Sequence, residues 1–441
     1  MDGGTPSPCQ LLPYPLLQSP VQGWHHRTTQ GGVGQQLKLG GQEPNQVLKP
    51  HVPDHGKGLH IECYHFSQQV HGFHLKATPP AELPDYYSPW MRLAADLPHL
   101  VEGGQLRQEV EKMPLLSIQQ LQGHRQLCLA HAALGFITMG YAWQGAGRQM
   151  SLPRALAVPF CAISELLGMP PILVYADCVL ANWKKREPLG CVENLDVLFS
   201  FPGGESNKGF FLVSLLVELA AASGIKAIPT IFNAMLHHDL STLQTALQDV
   251  AASLRKMAEV AMWLFLPSCF GSSWKDNPLM PEGLVYEGVW DHPRQYAGGS
   301  AAQSSTIQCF DMLLGIHHDP VDEEYLICMR DYMPAAHRAF IQAVASGPSL
   351  RQFVLAAGDT DLTAAFNKCV SSLVALRSYH IEVVVKYITI PAGQYQEEQK
   401  QRGGCFHQDL LGLCERGTGG TGFIQFLKAI RDNTQKAHLA D

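Results

Sequence analysis

Several signals are absent from this chain of 441 residues, and each absence excludes a class of protein. The 32 Lys and Arg and the 39 Asp and Glu give a net charge of −7, and the basic residues form no stripe for nucleic acid or an anionic membrane. No run of about 18 uncharged apolar residues occurs, and no basic and apolar leader opens the chain. We therefore expect a cytoplasmic protein without a membrane span.

Paired cysteines and strand patterns are also scarce. None of the twelve Cys belongs to a C-x-x-C pair, which argues against a zinc ribbon or a disulfide framework and favours reduced, mostly buried thiols. Alternation of period 2 is rare, whereas helical periodicity recurs, so we predict an all-α fold. A hydrophobic content of 46% in a chain of this length predicts a sizeable core and two domains.

The first residues have the composition of a disordered segment. Residues 1–58 contain ten Gly and eight Pro without a hydrophobic period, so we predict a disordered extension over residues 1–59. Eight of the 20 His lie between His25 and His74, but their spacing is irregular and no Cys or acidic cluster completes a ligand set. No metal site is predicted in this extension.

Three later stretches have the periodicity of buried or amphipathic helices. Residues 124–143 are apolar on more than one face, which predicts a buried helix. Residues 206–225, opened by a Ser-Asn cap signal and interrupted by Glu218, predict a core helix too short to cross a bilayer. After a cap at Asp239, apolar residues recur at helical steps, namely Leu243, Leu247, Val250, Leu254 and Met257.

One histidine lies within the apolar stripe of a long helix predicted over residues 362–390. His380 and Arg377, one turn earlier, both face the predicted interior, where each needs a partner. A core histidine bonded to a carbonyl or carboxylate is the common explanation for such a residue. The alternative is a metal ligand: a lone His suits haem, which needs one protein ligand, better than zinc or non-haem iron. The spacing leaves both interpretations open.

Seven stretches together resemble the indoleamine 2,3-dioxygenase family, and most closely its second vertebrate paralogue. The resemblance extends from about residue 61 to the end of the chain and includes the pattern around His380. The stretches are PPILVYADCVLANWKK (170–185), KGFFLVSLLVE (208–218), GLVYEG (283–288), GGSAAQSS (298–305), RDYMP (330–334), LRSYH (376–380) and GTGGT (417–421).

The resemblance implies a fold, a cofactor and a reaction. It implies a small helical domain over residues 60–201 and a larger one over residues 202–441, with haem b (iron protoporphyrin IX) bound through His380 and supported by Asp311 and Arg377. The substrates would be L-tryptophan and O2, and opening of the indole 2,3-bond would give N-formylkynurenine, the first step of the kynurenine pathway. The protein would act as a monomer.

The resemblance also assigns the residues around the substrate. Phe210, Ser214 and Thr418 would be the catalytic residues that act on it. Gly299, Ser300 and Ala301 match a loop over the haem edge, and Gly417 and Thr418 a flexible flap near the substrate amine. The distal wall would comprise Tyr175, Cys178, Val179, Phe210, Phe211 and Ser214. Core packing is the alternative explanation for Val179 and Cys178.

Two glycine-rich stretches suggest other enzyme classes only weakly. GGSAA resembles a nucleophile elbow, but Ala302 replaces the closing Gly and no strand precedes it. GTGGT lacks the Gly-Lys-Ser/Thr ending of a phosphate loop. We therefore predict neither a serine hydrolase nor a nucleotide-binding protein.

One segment departs from the family pattern. The family places an Arg for the substrate carboxylate on a helix before the SGWK stretch, whereas between Leu254 and Trp274 this chain has only Arg255 and is interrupted by Pro267. The segment is shorter by about ten residues, roughly three helical turns. A splice or gene-model variant would explain this, and we expect haem binding with poor turnover of tryptophan.

Two other functions remain open from the sequence. Tyr286, in LVYEGV, matches an inhibitory tyrosine motif, so a catalytically poor signalling or scaffold protein is the main alternative. Phe160 replaces the tyrosine of the family's other such motif, which removes paired docking. A haem gas sensor would need an output domain that the sequence does not reveal.

Overall fold

The computed structural model describes residues 82–144, 151–186, 194–263, 282–390 and 423–440. These residues are mostly helical, so the all-α prediction is confirmed. The first part comprises α1 (Ser88–Ala95), α2 (Leu97–Glu102), α3 (Leu106–Glu111), α4 (Gly123–Trp143) and α5 (Arg154–Leu167). The later part comprises α6 (Gly204–Ala220), α7 (Ala222–His237), α8 (Leu240–Trp263), α9 (Ser305–Leu314), α10 (Pro320–Arg330), α11 (Ala335–Ala345), α12 (Leu350–Ala357), α13 (Thr360–Val384) and α14 (Phe423–Gln435).

Strands in the described residues are only two residues long. β1 (Ser151–Leu152) pairs in parallel with β4 (Val285–Tyr286), and β2 (Lys184–Lys185) pairs antiparallel with β3 (Leu195–Asp196). Ser151 lies opposite Val285, and Lys184 lies opposite Asp196. These short pairings fasten loops and form no sheet that organises the fold.

Two apolar clusters make up the core, and α6 contributes to both. Phe211 and Leu215 pack in the first cluster, with α1 to α5 and Tyr286. Ala220 packs in the second cluster, which is built mainly from α7, α8, α9, α11 and α13. The transition therefore falls within α6, whereas the predicted domain boundary lies between residues 201 and 202. That boundary stays a prediction.

The apolar stripes predict the core faces well. The five stripe residues of α8 are at most 1% exposed, and the Asp239 carboxylate accepts a hydrogen bond from Thr242 N at 3.0 Å as the predicted cap. Residues 128–142 of α4 are all buried, as expected for a helix that is apolar on every side. Both predictions are confirmed.

The stretch 206–225 differs from its prediction in two respects. The helix begins earlier, at Gly204, and Asn207 is no cap, because its Oδ1 accepts a hydrogen bond from Phe201 N at 2.9 Å. The helix also ends at Ala220, and α7 follows directly. The span Asn207–His237 contains an 18-residue window of mean hydropathy 1.8 and is long and apolar enough to cross a membrane, but 61% of that window is buried inside the protein, as in a core helix.

The helix that carries His380 is well defined at its start. The Asp359 carboxylate accepts a hydrogen bond from Leu362 N at 2.7 Å and caps α13. The helix packs against α8 and α14 and contacts α9, so it lies inside the second cluster. Packing on several sides therefore holds α13, and the side chains that it carries, in a fixed position.

Candidate functional site

His380 lies near the end of α13, one turn after Arg377, and is partly buried. Burial and the charge of Arg377 both lower the pKa of its imidazole, so the ring is neutral near pH 7. Among the described residues the ring has no hydrogen-bond partner. A neutral imidazole whose lone pair no protein donor occupies fits the role of a metal ligand.

The surroundings of His380 suit a cofactor that needs one protein ligand. Over the described ranges, no group of three His, Cys, Asp and Glu could hold a metal ion. This agrees with the inference that a lone histidine here would serve haem, because zinc and non-haem iron take several side-chain ligands. His380 and its apolar setting therefore fit haem.

Asp311 and Arg377 form a buried ion pair between α9 and α13. Arg377 Nη2 donates to Asp311 Oδ2 at 2.7 Å, and both side chains are less than a tenth exposed. Burial opposes ionisation of Asp311, but the charge of Arg377 and the contact with His318 outweigh it and lower the pKa of that carboxyl. The sequence predicted this pair as support for His380, and the structure brings the two side chains together.

Two further residues complete this buried network, and the sequence did not indicate either. Arg377 Nη1 also donates to Thr434 Oγ1 on α14, whose hydroxyl donates to Ile430 O at 2.7 Å. His318 Nε2 lies 3.4 Å from Asp311 Oδ2. Thr434 is 57 residues from Arg377, and His318 follows Asp311 by seven residues in the loop after α9, a spacing that does not match a helical turn. The network connects α9, α13 and α14 behind His380.

The predicted distal residues of α6 divide into two kinds. Phe211 is 3% exposed and packs edge to face on Phe136 at a centroid distance of 5.8 Å, as a core residue does. Phe210 and Ser214 are partly buried, and Phe210 also meets the Phe211 ring edge to face. Ser214 Oγ donates to Phe210 O at 3.0 Å. Its oxygen keeps lone pairs that can accept a hydrogen bond from a ligand.

Cys178 and Val179 lie in a π-helical turn, Ala176–Leu180, that packs against α4 and α6. Val179 is 2% exposed and belongs to the core cluster, so core packing accounts for it without a ligand. Cys178 is partly buried, and burial, followed by the charge of Asp177, raises the pKa of its thiol well above the ordinary value. The thiol is therefore protonated and unreactive as a nucleophile.

Tyr175 connects this turn to α6 and to the loop after β4. Its hydroxyl donates to Glu218 Oε1 at 3.0 Å, and its backbone N donates to Gln303 Oε1 at 3.0 Å. Burial, followed by the charge of Glu218, raises the pKa of the Tyr175 phenol well above its ordinary value. The sequence predicted Tyr175 as a pocket residue and gave Glu218 and Gln303 no role.

The predicted haem-edge loop is held in a short turn against the Tyr175 segment. Ser300 Oγ accepts a hydrogen bond from Ala302 N at 3.2 Å and opens the 3-10 turn Ala301–Gln303. A Cβ at Gly299 would be 3.8 Å from Tyr175 N and 3.9 Å from Leu173 O, which is ordinary contact. Protein packing therefore does not require a glycine here, whereas close approach of a flat cofactor would give a reason for one.

The site falls into two groups. Asp311 pairs with Arg377, which lies next to His380 in the sequence of α13, and Tyr175, α6 and the loop at Ser300 form a separate hydrogen-bonded group. Within the described ranges no hydrogen bond or ring contact joins the groups, and α8 packs against both α6 and α13. Gly417, Thr418 and residues 264–274 of the shortened segment, which include Pro267, lie outside the described residues.

Comparison with known proteins places these residues in context. The family profile described as indoleamine 2,3-dioxygenase matches residues 60–437. Indoleamine 2,3-dioxygenase 1 of Rattus norvegicus is 48% identical over 405 residues, which cover 88% of this chain and 98% of the relative. Indoleamine 2,3-dioxygenase 2 of Homo sapiens is 45% identical over 408 residues, covering 89% and 99%. These identities do not separate the two paralogues.

One relative over nearly the same length carries a different name. The protein named myoglobin in Haliotis madaka is 36% identical over 392 residues, covering 86% of this chain and 98% of the relative. Similarity over nearly the whole length therefore connects this chain to proteins named for two different uses of oxygen. Residues in the pocket must decide between them.

Proposed function

We propose that this chain, which belongs to the indoleamine 2,3-dioxygenase family and is a haem-dependent dioxygenase, opens the indole 2,3-bond of L-tryptophan to give N-formylkynurenine. The observation that carries the proposal is the neutral imidazole of His380, which has no hydrogen-bond partner within the part of the chain that the structure describes. Haem b, when bound, supplies the iron that activates O2. The remaining steps depend on how the protein's own residues hold the substrate.

The side chains on α6 suit the binding of an indole. Phe210 offers a flat aromatic surface. The Ser214 oxygen can accept a hydrogen bond from the indole N–H while its own O–H donates to Phe210 O. The neighbouring Phe211 and Val179 are buried and exclude water from this side. The residues thus supply position and dryness, which this reaction needs more than an acid or a base.

The proximal residues hold the iron ligand in one orientation. Arg377 lies one turn before His380 on α13 and is paired with Asp311 of α9. Burial, followed by the charge of Arg377, lowers the pKa of the His380 imidazole and keeps the ring neutral and available for coordination. We infer that weakening the pair would reduce haem retention without touching the substrate.

The test combines spectroscopy with product formation. Purified full-length chain reconstituted with haem should show a ferrous carbon monoxide Soret band that shifts on titration with L-tryptophan, and should form kynurenine after hydrolysis. His380→Ala should retain less than about a tenth of the haem, since the single iron ligand is removed. The exposed His237, replaced by Ala, is the matched control and should retain all of it. Equal haem content and an unchanged Soret band in the two variants would refute the assignment.

A signalling role through Tyr286 is the second candidate. The motif was found in the sequence, but the Tyr286 side chain is 0% exposed and its hydroxyl donates to Pro171 O at 2.5 Å. Burial raises the pKa of this phenol well above its ordinary value. A kinase would need the β4 region to leave the core first. This favours the dioxygenase, and phosphate incorporation into native protein measures the alternative.

A further inference from the structure

Glu218 is a buried carboxylate for which the proposed reaction has no use. It lies on α6, one turn after Ser214, and is 3% exposed. No Lys, Arg or His forms an ion pair with it among the described residues. A buried carboxylate is costly unless donors satisfy its oxygens, so the identity of its donors is informative.

Three hydroxyl groups from separate parts of the chain satisfy this carboxylate. Tyr175 OH donates to Oε1 at 3.0 Å, and Ser304 Oγ donates to the same oxygen at 2.6 Å. Thr306 Oγ1 donates to Oε2 at 2.5 Å. Burial raises the pKa of Glu218, and the three hydroxyl hydrogen bonds oppose that rise. The buried Glu218 carboxylate therefore accepts three hydrogen bonds.

Each of these donors is attached to a wall of the predicted substrate pocket. Tyr175 is itself a wall residue, and its backbone binds the haem-edge loop through Gln303. Ser304 ends that loop and caps α9 through Ile307 N at 3.4 Å. Glu218 stands on the helix that carries Phe210 and Ser214. The carboxylate is thus the point at which α6, the Tyr175 turn and the loop are joined.

We propose that Glu218 is a positioning residue that fixes the three walls of the substrate pocket relative to one another. The inference deepens the proposed function, because it assigns the spacing between the α6 side chains and the Ser300 loop to one buried group. A glutamine has the same shape but a single carbonyl oxygen, so it cannot accept from all three hydroxyls. Glutamine also lacks the negative charge that strengthens each hydrogen bond, so all three links to α6 are weakened.

The test compares Glu218→Gln with wild type in the full-length protein by amide hydrogen exchange. Exchange in residues 174–180 and 299–306 should become about tenfold faster in the variant, the effect of losing a hydrogen bond to a charged group. Thr306→Val should accelerate residues 299–306 and leave 174–180 unchanged. Ser253→Ala is the matched control. It removes a buried hydrogen bond of 2.8 Å from Ser253 Oγ to Ala220 O, which also lies on α6 but does not involve Glu218. It should leave both segments unchanged.

A second readout separates positioning from general stability. In haem-loaded protein, Glu218→Gln should raise the KM for L-tryptophan about tenfold while haem content and kcat stay near those of wild type. Wild-type exchange in both segments of the variant would overturn the inference, and so would uniformly faster exchange accompanied by haem loss. Exchange does not depend on turnover. A wild-type protein that forms no kynurenine therefore counts against the proposed function and leaves the exchange result to decide the role of Glu218.

Discussion

The Asp311 carboxylate is the single group on which the proximal network converges. Arg377 and His318 both contact its Oδ2, whereas its Oδ1 is buried without a hydrogen-bond partner among the described residues. Removing one member of a buried pair leaves the other charge uncompensated and costs about 3–5 kcal/mol. Stability near the iron ligand therefore depends on this carboxylate being ionised.

A pH series tests this dependence on ionisation. The pKa of Asp311 is lower in the folded protein than in the unfolded chain, so its stabilisation is present above the unfolded value of about 3.9 and is lost as the pH falls through the folded value. Asp311→Asn should lower the free energy of unfolding of the apoprotein by about 3 kcal/mol near neutral pH. The difference in free energy of unfolding between wild type and Asp311→Asn, measured by urea unfolding, should become smaller below about pH 4.

The control for this series is Asp291→Asn, at an exposed turn. It should leave the free energy of unfolding near that of wild type at every pH. A gap between wild type and Asp311→Asn that stays constant down to acidic pH would show that the carboxylate charge contributes nothing.

At the scale of elements, α13 is the helix on which the site depends most. It carries Arg377 and His380, and its first turn is fixed by the Asp359 cap. Asp359→Ala should lower the free energy of unfolding by about 1 kcal/mol, because Leu362 N loses its acceptor. Asp359→Asn keeps an acceptor oxygen and should be nearly neutral, so the comparison isolates the cap. Equal urea midpoints for Asp359→Ala and Asp359→Asn would show that the cap hydrogen bond does not stabilise α13.

Helices with regular apolar stripes could be predicted from the sequence, and interruptions without a local marker could not. The stripe from Leu243 to Met257 and the all-apolar stretch of α4 correspond to real, buried helices. The break falls at Ala221, which is neither Gly nor Pro, and the helices on both sides of it, α6 and α7, pack against α8. Local propensity cannot anticipate a break without such a residue.

The candidate site shows the same division between local and long-range information. His380 stands out because an imidazole interrupts an apolar stripe, and Arg377 is its neighbour on the helix. The partners of Glu218 lie 43, 86 and 88 residues away, so nothing in its own helix indicates them. An acid within an apolar helix was the available signal, and it revealed burial but not its partners.

At the scale of the whole molecule, we predict that substrate turnover is limited by a segment that departs from the family pattern. Between Leu254 and Trp274 the only Arg is Arg255, which, like Lys256, is exposed on α8. A substrate carboxylate that enters a dry pocket without the family's Arg loses its partner, which costs several kcal/mol. The chain should therefore form kynurenine at least about tenfold more slowly than a variant that carries the family's full segment.

The comparison needs equal haem loading in both proteins. The ferrous carbon monoxide Soret band supplies that control, because His380 and its supporting pair are the same in each. Equal kynurenine formation at equal haem content would mean that another cation binds the carboxylate.

Residues 437 and 439, near the carboxy terminus, form hydrogen bonds with α12 and α13. Asn367 exchanges two hydrogen bonds with the Leu439 backbone, at 3.0 and 2.8 Å, and Arg351 donates to Ala437 O. Together with Thr434, which accepts a hydrogen bond from Arg377, these contacts join residues 434–439 to the helix that carries His380. Affinity tags and fluorescent fusions therefore belong at the amino terminus, because carboxy-terminal trimming would remove hydrogen-bond partners of α12 and α13.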